Sequence, residues 1–249
     1  LNLNDNQMMR NLKVGKCDCI DHLGGGSSGP ASSKDPQGTV GGGYNNTLNT
    51  LEMARRLQVS KFIFASSMTV YGNIKPEFCP IDESSPCLPI SHYGVGKFAN
   101  ERLVEIFCTE NKISHNNLRF FNVYGPGQDL SRGDQGIVSI FLAMLLKSPK
   151  VISKGSLERF RDIVHISDVV NAICLCANSI KESGTFNVGS GSAITVGEII
   201  KEIAGALDLA SDLEIKEEEG TPGDIFGISA NISALKSATG YEPVFGPEE

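Results

Sequence analysis

Apolar and polar positions along the 249-residue chain change period several times. CDCIDHL (17–23) alternates in the manner of a strand, and TLNTLEMARRLQ (47–58) spaces Leu48, Leu51 and Met53/Ala54 as one face of a helix. KFIFASS (61–67) is a near-continuous apolar run closing in small polar residues, which predicts a buried strand. A loop rich in Pro, Cys and Ser extends to Pro89, followed by a long helical pattern over 93–111 and a strand, HNNLRFFNVYG, over 115–125. Strands alternating with helices predict a parallel sheet with right-handed crossovers.

Beyond Gly127 the segments shorten. IVSIFLAMLL (137–146) is too short to span a bilayer and predicts a buried helix. RDIVHI (161–166) and TFNVGSG (185–191) read as strand-like, with helices expected from Ser167 and over 196–207. We therefore expect an α/β fold. Residues 1–125 would form the first unit and 126–249 mainly a looser second lobe.

A formal net charge of −7 argues against a nucleic-acid surface. The first sixteen residues are polar and mixed, so no signal peptide or membrane segment is expected. None of the seven cysteines forms a CxxC pair, which favours buried thiols of a reducing cytoplasm over zinc or disulfides. The chain starts at Leu1 and stops in FGPEE, and both ends read as cut.

Two segments invite a chemical reading. Gly24-Gly25-Gly26-Ser27-Ser28-Gly29 fits G-x-G-x-x-G behind a predicted strand. A pyrophosphate loop also needs a helix opening at its third glycine and an acidic residue ending the next strand. PASSKDPQGTVGGG (30–43), with two prolines and four glycines, is expected not to form that helix, and the next strand ends in Ser66-Ser67. The second segment is Tyr93-x-x-x-Lys97, which places a phenol and an ammonium on one helical face. A nearby ammonium favours the phenolate, so the pair could take a proton from a substrate hydroxyl, with Ser66 and Ser67 as hydrogen-bond donors. A Tyr/Lys pair on a helix is also common surface decoration.

FIFASSMTVYG (62–72), SHYGVGK (91–97), LRFFNVYGPGQ (118–128), RFRDIVHISDVV (159–170) and FNVGSG (186–191), in that order, resemble the extended short-chain dehydrogenase/reductase family. The nearest branch is the NAD-dependent sugar-nucleotide epimerases of UDP-glucose 4-epimerase type. The resemblance implies that 1–125 form part of a Rossmann, dinucleotide-binding domain and 126–249 mainly a smaller substrate lobe, with about 160–190 returning to the first sheet. It also implies NAD as cofactor, a nucleotide-sugar substrate and pairing into a homodimer. It implies catalytic roles for Ser67, Tyr93 and Lys97, and cofactor contacts from Leu23, Gly24, Gly25, Ser66, Tyr93, Lys97 and Phe121. Thr69, Asn122, Arg161 and Asp224 would contact the substrate, and no metal is implied. Structural roles for Asn122 (a turn cap) and Arg161 (a pair with Asp162) are the competing readings.

Dehydratases of this family carry Asp-Glu after the serine or threonine, and decarboxylating relatives keep the Glu. Here Met68 and Thr69 stand there, and neither does acid/base work. That leaves oxidation at the sugar C4 and return of hydride to the other face. A keto-sugar reductase of the same family and a non-catalytic binding protein are the alternatives.

The family's first strand, GxxGxxG loop and second acidic strand have no counterpart in this sequence, so its N-terminal strands are expected to be missing. The family often has Asn where Gly43 aligns, and Arg-x-Gly-Asp where this chain has Thr221-Pro222-Gly223-Asp224. The apolar positions Leu103, Ile106 and Phe107 suit either a dimer face or inward packing.

Overall fold

The computed structural model describes residues 2–26, 29–133, 136–179, 182–220 and 225–246. In chain order the elements are α1 (Asn6–Asn11), β1 (Cys19–His22), α2 (Gly29–Lys34), α3 (Pro36–Leu57), β2 (Lys61–Ser67), α4 (His92–Glu110), β3 (Ser114–Phe120), β4 (Asn122–Tyr124) and α5 (Ile137–Leu145). They continue with β5 (Lys150–Lys154), β6 (Phe160–Arg161), β7 (Ile163–His165), α6 (Ile166–Ser179), β8 (Gly184–Val188), β9 (Ile194–Thr195), α7 (Val196–Ala206), β10 (Glu214–Glu218), β11 (Gly227–Ile228) and α8 (Ser233–Thr239).

The main sheet is parallel, in the order β1-β2-β3-β8. Strand β2 is buried along its whole length because both faces are covered. Phe62 and Phe64 point to one side, against Leu51 and Ala54 of α3 and Val104 and Cys108 of α4. Ile63 points to the other, against Val169, Ala172 and Cys176 of α6. This two-sided burial of a parallel sheet is the Rossmann-type α/β class expected from the sequence.

A separate apolar cluster joins Phe141 and Leu145 of α5, Val151 of β5 and Ile199 and Ile200 of α7. Helix α7 opens with a capping box between Thr195 and Glu198. The acid-rich segment Glu214–Glu218 forms β10, parallel to β5.

Three expectations are corrected. The Pro/Gly segment is helical: α2 and α3 occupy it almost entirely. Pro36 stands in the first turn of α3, where its missing N–H costs nothing, and the Asp35 carboxylate accepts from Gly38 N at 2.9 Å. Its glycines cost about 1 kcal/mol each in propensity. Helix α3 packs against α4 here, where a Cβ on Gly96 of α4 would stand 3.7 Å from Val40 Cα. The strand expected over 115–125 breaks at Phe121, and β3 and β4 join different sheets. RDIVHI likewise breaks at Asp162, between β6 and β7. Of the three apolar α4 positions, Leu103 and Phe107 pack against the sheet, while Ile106 is exposed.

Candidate active site at the end of strand β2

Strand β2 delivers Ser66 and Ser67 to the carboxyl edge of the sheet, where parallel α/β folds place their ligands. Ser67 caps a single turn of 3-10 helix over Met68–Val70. Its Oγ accepts from Thr69 N at 3.2 Å and from Thr69 Oγ1 at 3.0 Å. The Ser67 hydroxyl also acts on the Tyr93 phenol, favouring its ionised form. Three hydroxyls, of Thr69, Ser67 and Tyr93, thus gather at this edge of the sheet.

Helix α4 brings the other half. Ser91 caps it, accepting from Gly94 N at 3.1 Å. Its first turn lies against the Thr69 backbone so closely that a Cβ on Gly94 would stand 2.6 Å from Thr69 O. Only glycine permits that approach, and the approach brings Tyr93 to Ser67. One turn on, Lys97 Nζ donates to Ala65 O at 2.7 Å and lies 5.1 Å from the Phe64 ring centroid and 5.7 Å from that of Tyr93.

The electrostatics differ from the sequence-based expectation. Burial pushes the Tyr93 phenol above its ordinary pKa, and the Ser67 hydrogen bond pulls the other way. The expected lowering by Lys97 does not dominate; its ammonium donates to Ala65 O and stands 5.7 Å from the Tyr93 ring centroid. Burial lowers Lys97 itself to about 8, with Glu101 opposing that fall.

Under this face is a buried polar network that sequence reasoning missed. Glu101 takes a two-pronged ion pair from Arg119, at 3.0 Å to Nε and 2.8 Å to Nη2, and accepts the Ser66 hydroxyl. Arg119 also stacks on the Tyr71 ring, 4.8 Å from its centroid. The sequence carried a signal, since Glu101 stands at i+4 from Lys97 and Arg119 interrupts an apolar strand.

Gly24, Gly25, Thr39, Gly43, Tyr93 and Lys97 line one cleft between the β1 loop, α3 and α4. Leu23 is exposed beside it. Ser66 is buried and turned to Glu101, and Phe121 is buried among Val70, Tyr71 and Ile81. Asn122 stands at the start of β4, its Nδ2 donating to Asp162 O at 3.1 Å. The Arg161 guanidinium donates to the carbonyls of Phe160, Ile225 and Phe226 rather than to Asp162. The Asp162 carboxylate accepts from Ser190, Gly191 and Ala230. Asp224 and the Ser27-Ser28 part of the glycine motif lie outside the described residues. The structure thus brings Ser67, Thr69, Tyr93 and Lys97 together, while Asn122 and Arg161 hold the neighbouring backbone.

The family model for the NAD dependent epimerase/dehydratase family matches residues 1–189. UDP-glucose 4-epimerase of Mycolicibacterium smegmatis is 30% identical over 231 residues, 92% of this chain and 72% of that protein. The crystal structure of Thermotoga maritima UDP-glucose 4-epimerase with UDP-glucose superposes with a TM-score of 0.91 at 30% identity, covering 100% of this chain and 80% of that one. Thermus thermophilus UDP-glucose 4-epimerase in complex with NAD gives a TM-score of 0.88 at 29% identity, with 100% and 80% covered. The chain spans 62%, 72% and 56% of the lengths of three other curated relatives that it matches. With three quarters of its length matched in one continuous stretch, the chain belongs to the NAD-dependent epimerase/dehydratase family.

Proposed function

We propose that this chain carries the catalytic groups of an NAD-dependent nucleotide-sugar epimerase, acting at C4 of a UDP-hexose. The observation that carries the reading is the gathering of the Thr69 and Ser67 hydroxyls, Tyr93 and Lys97 at the end of β2, with Lys97 Nζ 5.7 Å from the Tyr93 ring centroid. The related epimerases named above, one with UDP-glucose and one with NAD, support it.

The cleft suits part of a nicotinamide dinucleotide. Gly25, at φ +145°, lies close enough to Lys97 that a Cβ there would stand 3.9 Å from Nζ. Gly43 and Gly96 keep the helical wall free of side chains. Gly24, Gly25, Tyr93 and Lys97 would hold the cofactor, which supplies a reversible acceptor for the C4 hydride.

Tyr93 holds and moves the proton at the C4 oxygen: as phenolate it accepts it, and as phenol it returns it. Ser67 donates to the same phenol oxygen and favours its ionised form. Lys97 adds positive charge beside the ring. Thr69 fixes the Ser67 hydroxyl by donating to it, leaving the Ser67 proton for Tyr93 or the sugar. Asn122 and Arg161, which hold the backbone at Asp162 and at Phe160, Ile225 and Phe226, would position the adjoining lobe around the nucleotide sugar.

The test is turnover by the full-length protein. UDP-glucose and UDP-galactose should interconvert with no net consumption of NADH or NADPH. Stoichiometric consumption of reduced cofactor with a keto-sugar substrate would replace this reading with that of a reductase. Loss of neither activity on Tyr93→Phe would refute the proton role.

A further inference from the structure

Asn100 follows Lys97 by three residues on α4, so the two side chains share one face of the helix. It is 5% exposed, and its Oδ1 has no hydrogen-bond partner. It lines the same cleft as Tyr93 and Lys97. A fold has no use for an unpaired amide oxygen in that place: leaving a buried acceptor unmade costs stability, and an apolar residue would pack without the penalty.

Other buried asparagines supply a contrast. Asn187 is satisfied at both ends, taking the Tyr71 hydroxyl on Oδ1 and donating Nδ2 to the carbonyls of Ile81 and Asn231. Asn116 and Asn117 have unpartnered Oδ1 atoms, but their Nδ2 groups donate to Glu182 and Thr185 across the β3–β8 edge. Of the residues with partnerless buried atoms, Asn100 alone lines the cleft, among the described residues. Across from Asn100 Nδ2, α3 presents Gly43, where a Cβ would stand 3.7 Å away. The amide nitrogen therefore faces a position that α3 leaves without a side chain.

We infer that Asn100 is a further binding residue of this cleft, and that its amide hydrogen-bonds a sugar hydroxyl of the bound dinucleotide. The inference rests on the proposed function and adds a named contact to it. A hydroxyl fits the chemistry better than a phosphate does. The amide presents one acceptor and two donors; a hydroxyl can meet either, whereas a phosphate oxygen only accepts and would leave Oδ1 unpaired. Rotation about the terminal bond of the side chain decides which amide atom is used.

The experiment pairs NAD affinity with the thermal stability of the full-length protein. Titration calorimetry with NAD on Asn100→Ala should show Kd raised on the order of tenfold, the worth of one or two hydrogen bonds. The midpoint of thermal unfolding without NAD should stay equal to wild type or rise, because an unsatisfied buried group has been removed. Asn100→Ser, smaller and still polar, serves if the alanine variant does not fold, and should show an intermediate loss of affinity. A Kd within twofold of wild type, or a lowered midpoint with unchanged Kd, overturns the inference and leaves the proposed function standing. Wild-type protein that does not bind NAD overturns both.

Discussion

At the scale of single residues, the candidate site turns on how the Tyr93 proton is held. Burial disfavours the phenolate, and the hydrogen bond from Ser67 is the one opposing influence resolved. If the phenolate accepts the substrate proton, kcat/KM climbs with pH on its acid limb as Tyr93 ionises. Ser67→Ala removes the donor that favours ionisation, so the limb should move to higher pH, with kcat reduced on the order of tenfold to a hundredfold at neutral pH. Thr69→Val should produce a smaller shift of the same sign, since it loosens Ser67 without deleting it. A pH profile of wild type and the two variants checks this. An unmoved limb in Ser67→Ala would mean that the serine does not act on the phenol. Tyr93, Lys97 and the serine pair were legible in the sequence because their spacing is local. The direction of the Tyr93 shift was not, because it depends on where Lys97 Nζ ends up, and Ala65 O claims it.

At the scale of elements, α4 is tied to β2 and β3 by more than apolar packing. The Arg119 and Glu101 side chains are 6% and 4% exposed. Two buried charges bound in this way stabilise little relative to apolar residues, yet losing one strands the other in low dielectric, at a cost of about 3–5 kcal/mol. Glu101→Gln and Arg119→Met should each lower unfolding stability by about that amount, whereas the double variant Glu101→Leu/Arg119→Met should cost less than the sum. Urea unfolding of the three variants measures it. Single variants within 1 kcal/mol of wild type would mean that the pair is open to water. The pairing was hidden in the sequence because it needs the β2–β3 register to set Arg119 beside Ser66. The α3 helix was hidden for the opposite reason. Its proline and glycines obey local rules that forbid a helix interior, and the rules give way where Pro36 falls in the first turn and Gly43 faces Asn100 of α4.

At the scale of the whole molecule, Asp162 joins parts of the chain that the sequence keeps far apart. Its carboxylate accepts from Ser190 N and Oγ at 2.7 and 2.8 Å, from Gly191 N at 3.0 Å and from Ala230 N at 3.1 Å. Its carbonyl takes both the backbone N and the Nδ2 of Asn122. One residue thus fastens the turn after β8, the end of β11 and the start of β4. Gly189 makes room for it: a Cβ there would stand 2.8 Å from Asp162 Oδ2. Asp162→Ala strands several buried donors and should cost at least about 3 kcal/mol in urea unfolding. Asp162→Asn keeps the shape but only one acceptor oxygen, and should fall between alanine and wild type. Burial raises the carboxyl's pKa in the fold, against the pull of its four donors. With the folded pKa above the unfolded one, the folded state binds more protons in that window, so this group's contribution grows as pH falls toward the unfolded value near 3.8. The stability gap between wild type and Asp162→Asn should therefore widen on acidification below neutrality, the opposite of what a carboxylate held below its ordinary pKa would give. A gap that narrows as pH falls would mean that the four hydrogen bonds outweigh burial, and that Asp162 clamps these segments of the chain as an ionised carboxylate.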